Sequence, residues 1–173
     1  MQIREARPSD LQAIKNVHLD AFGSEGATVS ELALALIADE SARPLLALVA
    51  ESGGALIGCV IFSSVRIRGA NELSAYILAP LAVATRMQRM GTGRQLIEHG
   101  LAVLRERGAD LVFVLGDPRY YSRYGFSPGH KVRAPYDLPY PEAWMALSLQ
   151  DAALGSFEGQ LVCARSLNSP DHW

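Results

Sequence analysis

The sequence predicts an α/β fold, a mixed and mostly antiparallel central sheet with flanking helices. Three observations carry this. Two stretches near the N-terminus repeat apolar residues at helical spacing behind Ser and Thr caps. Three apolar runs separated by turn residues follow between residues 45 and 83, the pattern of an antiparallel meander. An amphipathic helix then leads into Leu111-Val112-Phe113-Val114-Leu115, an unbroken apolar run expected of a buried parallel strand.

The elements follow in order. Residues 3–7 form a short first strand. Ser9-Asp10-Leu11-Gln12 has the S-x-x-Q form of a capping box. The helix behind it places Leu11, Ile14, Val17 and Ala21 on one face, with His18 half-buried beside them. Gly23-Ser24-Glu25-Gly26 reads as a flexible acidic loop. Thr28-Val29-Ser30-Glu31 is a second capping box, and Val29, Leu32, Ala33, Leu36 and Ile37 line the next helix.

Residues 45–51 and 55–67 make a hairpin across Ser52-Gly53-Gly54. Residues 73–83 form the third strand of the meander, with Pro80 inside it. Proline cannot donate to a ladder, so a bulge or splay near Ala79-Pro80 is expected, leaving backbone groups free for a ligand. Residues 92–107 form a helix whose apolar face is Leu96, Ile97, Leu101 and Leu104, ended by Gly108. Residues 117–124 form a short helix with Pro118 at its first position. Four of nine prolines fall between Pro128 and Pro141, so that segment reads as a rigid surface loop. Residues 143–149 and 160–165 are the last strands, and residues 166–173 a loose tail.

With 173 residues and no repeat or linker, the chain reads as one domain over 1–173. Apolar residues at 49% and charged residues at 20% exclude a disordered or collagenous chain. Sixteen Lys+Arg against eighteen Asp+Glu give a net charge of −2, which does not suggest a nucleic-acid partner. Cys59 and Cys163 sit in apolar runs and read as buried structural thiols. Without an apolar leader or a bilayer-length apolar run, the expectation is a cytoplasmic protein with no membrane partner.

The chemistry concentrates in Gln88-Arg89-Met90-Gly91-Thr92-Gly93, a turn between strand and helix. Its glycines let the backbone approach a ligand, and the helix N-terminus offers unpaired N–H groups and partial positive charge. Arg86, Arg89 and Arg94 add charge. Together they suit a phosphate or pyrophosphate. Neither the dinucleotide fingerprint nor the P-loop fits: Leu96 stands where a third glycine belongs, and Arg94-Gln95 follow Gly93. Gly125-Phe126-Ser127-Pro128-Gly129 matches the serine-hydrolase pattern G-x-S-x-G. Pro128, however, has no N–H for an oxyanion hole, so Ser127 is a turn residue. The four histidines are scattered, and no metal site is expected.

Leu81-Ala82-Val83 followed by Gln88-Arg89-Met90-Gly91-Thr92-Gly93 resembles motif A of the GNAT superfamily of N-acetyltransferases. Tyr120-Tyr121-Ser122-Arg123-Tyr124-Gly125-Phe126 resembles that family's later tyrosine motif. The two occur in the family's order, separated by one helix and one strand, and the resemblance covers nearly the whole chain. Leu115-Gly116-Asp117-Pro118-Arg119-Tyr120-Tyr121 and the stretch from Tyr136 to Leu147 are similar to small bacterial proteins described as predicted N-acetyltransferases. The link through Asp117 and Pro118 is shorter than in many members and lacks their asparagine, so that cofactor contact is not carried over.

The resemblance implies a GNAT-like fold splayed between its fourth and fifth strands, and acetyl-CoA as cosubstrate without a metal. Leu81, Ala82 and Val83 would border the pantetheine arm, with backbone groups of Leu81 and Val83 offered to it. Gln88, Arg89, Met90, Gly91, Thr92, Gly93 and Arg94 would hold the pyrophosphate. The implied reaction transfers acetyl directly to a primary amine of a small molecule, peptide or protein. Tyr121 would be the acid that protonates the departing thiolate. Glu25, Glu72 and His18 are candidate bases, none singled out. A homodimer is compatible with the resemblance. The competing readings are a non-catalytic acyl-CoA sensor and a regulatory domain that has lost CoA.

Overall fold

A computed structural model describes residues 1–173. Its strands are β1 (Gln2–Glu5), β2 (Leu45–Ser52), β3 (Ala55–Arg68), β4 (Ala75–Val83), β5 (Leu111–Leu115), β6 (Lys131–Arg133), β7 (Trp144–Ser148) and β8 (Glu158–Val162). The helices are α1 (Leu11–Phe22), α2 (Gly26–Ala38), α3 (Thr92–Glu106) and α4 (Pro118–Tyr121). The main path of the sheet runs β1-β2-β3-β4-β5-β7. Only β4–β5 is parallel along that path, because α3 carries the chain back between them. The expected mixed, mostly antiparallel sheet with flanking helices is therefore what the chain forms.

Alternation along the strands sends side chains into two cores. One contains Ile14, Val17, Leu32, Ala33 and Leu36 from α1 and α2 against one sheet face. The other contains Leu96, Ile97, Leu101 and Leu104 of α3 against the opposite face. Burying each of these valine, leucine and isoleucine side chains stabilises the fold by about 1.5–3 kcal/mol. Gly100 lets α3 approach closely, since a Cβ there would lie 2.2 Å from the ring of Phe62.

The helical starts differ from expectation. Asp10, rather than Ser9 and Gln12, caps the first turn: its carboxylate accepts from Arg7 N–H at 2.7 Å and pairs with Arg4 at 2.7 Å. That arrangement turns Leu11 outward, 38% exposed, and sinks His18 fully into the core. The Gly23–Glu25 stretch is a 3-10 turn that leads directly into α2, so Thr28 and Glu31 lie inside a helix and cap nothing. Gly26 permits the hairpin, because a Cβ there would meet the Leu19 carbonyl at 2.7 Å.

Two C-terminal expectations also change. The proline-rich loop contains β6, paired in parallel with β8, which itself pairs with the far end of β3. No apolar run marks three residues whose partner is distant in sequence. The tail is docked, not loose. Ser166 donates its N–H and hydroxyl to Asp39 at 2.9 and 2.7 Å, Leu167 is buried, and the Trp173 ring lies 5.4 Å from Trp144.

Cys59 is buried and Cys163 half-buried, both as free thiols, and burial pushes the Cys59 thiol up to about 12. Ser127 is the expected turn residue, its hydroxyl accepting from Gly129 N–H at 3.1 Å.

The buried His18 and the half-buried His130 make the fold acid-sensitive. His130 Nδ1 accepts from Val132 N–H at 3.2 Å, which leaves Nε2 to donate to the Trp144 carbonyl at 2.9 Å. The Nδ1 contact requires the neutral ring, because a protonated Nδ1 cannot accept. The Ile14 carbonyl lies 2.7 Å from His18 Nδ1, while its Nε2 has no partner. Burial lowers both imidazoles from their ordinary value of 6.5. Below that value the unfolded chain binds protons that the folded chain refuses, so stability falls as pH falls. Urea midpoints at pH 7.5 and 5.5 should show a loss, and His130→Gln should lessen the difference. An equal loss in that variant would exclude His130 as a source.

Candidate functional site

The site begins at the fault in β4. Val60 pairs with Leu81 and Phe62 with Leu78, so Ile61 alone faces Ala79 and Pro80. The bulge expected from Pro80 is present. Beside it, β4 and β5 pair only from Ala75–Leu111 to Ile77–Phe113, then part. Ala84 N–H bonds the Ile57 carbonyl of β3, so Ala82 also faces β3 by alternation. The N–H and carbonyl groups of Leu81 and Val83 consequently point into the gap.

At the end of β4 the chain bends toward α3. Gln88 Nε2 donates to the Val83 carbonyl at 3.0 Å, tying the loop to the strand. Arg89 and Gly91 both take left-handed torsions, with φ of 63° and 88°. The first hydrogen bond of α3 runs from Gln95 N–H to the Gly91 carbonyl. The N–H groups of residues 89–94 donate to no protein acceptor. They form an anion cradle of the kind a helix N-terminus provides.

A cleft of about 840 Å³ lies over this cradle, lined by Leu81, Val83, Gln88, Arg89, Gly91, Gly93 and Arg94 among others. Three expected cofactor residues present no side chain to it. Ala82 is buried in the core beneath α1 and α2. Met90 points to solvent, 66% exposed. Thr92 turns inward, its Cγ2 3.2 Å from where a Cβ on Gly58 would lie. Met90 and Thr92 can offer only main-chain groups, and Ala82 offers neither.

Sequence reasoning did not assign Ala21, Phe22, Glu98 or Arg123 to this wall. Glu98 pairs with Arg94 at 2.8 Å, and the Arg123 guanidinium sits 5.9 Å over the Tyr120 ring. Tyr120 and Tyr124 line the same cleft. A Cβ on Gly93 would lie 2.9 Å from the Tyr120 hydroxyl, so glycine keeps the passage open.

A second cleft of about 670 Å³ shares Phe22 and Leu81 with the first and continues past the bulge. Tyr121 stands here beside Leu78, Pro80 and Leu115. Asp117 fixes α4 by accepting from Arg119 N–H at 2.9 Å, and Pro118 takes the first helical position. Burial pushes the Tyr121 hydroxyl well above its ordinary pKa. Of the candidate bases, Glu25 lines this cleft, whereas Glu72 and His18 line neither. Asp171 and His172 also line it, and no periodicity in the sequence signals a tail folded back to the site. The chain has no cluster of His, Cys, Asp and Glu able to hold a metal ion.

Comparison with known proteins agrees with this geometry. The model of the acetyltransferase (GNAT) domain matches residues 2–129. The uncharacterized N-acetyltransferase YjhQ of Escherichia coli is 39% identical over 162 residues, covering 90% of this chain and 88% of that protein. YhbS of the same organism is 36% identical over 165 residues, covering 92% and 93%. The crystal structure of E. coli YhbS in complex with CoA superposes with a TM-score of 0.87 at 32% identity, over 98% of this chain and 92% of that one. A Brucella melitensis GNAT acetyltransferase in complex with acetyl-CoA gives 0.77 at 30% identity, over 96% and 97%. Splayed strands, a glycine cradle and full-length similarity converge on one conclusion: the chain belongs to the GNAT family of N-acetyltransferases.

Proposed function

We propose that this protein transfers the acetyl group of acetyl-CoA directly to a primary amine, with the donor in the first cleft and the acceptor in the second. The observation that carries this is a pair of adjoining clefts that share Phe22 and Leu81, the first over an anion cradle and the second beside a tyrosine. Acetyl-CoA fits that arrangement: the unpaired N–H groups of residues 89–94 suit its pyrophosphate, and Leu81 and Val83 suit its amide-bearing arm. Bound there, it supplies the acetyl thioester.

The chain's own groups meet the demands of the transfer. Arg89 and Arg94 add positive charge at the cradle. Leu81 N–H is placed to stabilise a carbonyl oxygen as it gains charge. Tyr121 holds its proton, because burial keeps the phenol neutral, and can give it to the departing sulfur. The amine reacts in its neutral form, and its proton leaves through the second cleft to water. Apolar walls around Leu78, Pro80 and Leu115 favour that neutral form by desolvation.

Isothermal titration of the purified protein with acetyl-CoA and with dephospho-CoA tests the reading. Both should bind, since both carry the pyrophosphate. Absence of binding by the folded protein would overturn it.

A further inference from the structure

The second cleft is built from two ends of the chain. Its apolar walls include Val29, Leu32, Leu78, Pro80 and Leu167. Its acidic groups are Glu25, from the turn before α2, and Asp171, from the C-terminal segment. No lysine or arginine lines it, whereas the first cleft has three arginines. Tyr121 also lines the second cleft.

The C-terminal wall is fixed in place. Asp39 receives two hydrogen bonds from Ser166, at 2.9 and 2.7 Å, and two from Ser41, at 2.8 and 2.6 Å. Trp173 Nε1 donates to the Leu167 carbonyl at 3.0 Å, and its ring rests edge-on against Trp144. These contacts hold Asp171 and His172 in the cleft wall.

Resting on the acetyltransferase reading above, we infer that the acceptor is a primary amine on an apolar body without a carboxylate, selected by Asp171 and Glu25. The walls take an apolar body. The rim carboxylates attract the ammonium form and repel an acceptor anion, to which the cleft offers no lysine or arginine. The free α-amino acids are thereby disfavoured against the corresponding amines. In the transfer, a C–N bond to acetyl forms as the C–S bond breaks; the amine proton goes to water and Tyr121 protonates the sulfur.

The test compares 2-phenylethylamine with phenylalanine and tryptamine with tryptophan. Thiol release gives kcat/KM, and titration of each compound into the CoA-bound protein gives Kd. The amines should exceed the matched amino acids by about tenfold or more in both readouts, and less so at high salt, because the carboxylates are exposed. Asp171→Asn and Glu25→Gln should each raise the amine KM by about threefold, with the CoA Kd unchanged. Asp171→Lys should narrow the preference. Equal or better use of the amino acids, a preference unmoved in all three variants, or failure of both amines to bind the CoA-loaded protein would overturn the inference. Failure of CoA itself to bind overturns the acetyltransferase reading, and this inference with it.

Discussion

Gly91→Glu is expected to weaken acetyl-CoA binding by at least about 100-fold, the consequence of placing a carboxylate where a polyanion should sit. Gly91 is the residue preceding α3, with φ of 88° and ψ of 0°. No protein atom lies within 4 Å of where its Cβ would be, so a side chain there enters open space over the cradle, not the core. The added charge meets the same N–H groups of residues 89–94 that a pyrophosphate would use, and repels the ligand as well. A residue other than glycine in the left-handed region also costs the fold about 1–2 kcal/mol. Gly91→Asn separates the two effects, since asparagine tolerates that torsion and is neutral. Titration should show near-normal binding for Gly91→Asn and none resolved for Gly91→Glu, with both folded by circular dichroism. Normal binding by Gly91→Glu would place the pyrophosphate elsewhere.

Why that loop was legible in the sequence, and the acceptor side was not, has a physical basis. A strand, two glycines and a helix start lie within a few residues, and their effect on the backbone is local. Pro80 is similar: a residue that cannot join a ladder announces the bulge at the position where it occurs. The run from Leu111 to Leu115 and the apolar stripe of α3 were legible because burial on a regular element leaves a period. The capping motifs were ambiguous because Ser-x-x-Gln and Thr-x-x-Glu also occur where no helix begins. Whether they cap depends on the path of the entering chain, which Arg4, Arg7 and Asp10 determine here. The tail and β6 were illegible for a third reason. Their stability comes from partners more than a hundred residues away, as in Ser166 on Asp39, or from one short parallel pairing. Asp171 is therefore invisible as a site residue until the tail is seen docked.

Tyr121→Phe is expected to lower kcat by about 10²-fold or more while leaving acetyl-CoA affinity unchanged. The alternative role for this ring is packing, and the structure shows substantial packing. A Cβ on Gly116 would lie 2.4 Å from its Cε2, and it meets Tyr120 and Phe126 edge-on at 4.9 and 5.9 Å. Phenylalanine retains every one of those contacts, so a packing role predicts no change and a proton-donor role predicts a large one. The pH profile adds an independent readout. Burial holds the Tyr121 phenol above its ordinary pKa, so it remains protonated from neutrality through pH 9. A free alkyl amine, with a pKa of about 10.4, loses its proton increasingly over the same range. Rates of both enzymes should therefore rise with pH along parallel lines, separated by the missing hydroxyl. Lines that converge toward pH 9 would mean that the hydroxyl titrates within the range, contrary to its burial. Parallel lines without separation would leave Tyr121 as a packing residue and pass the sulfur's proton to water.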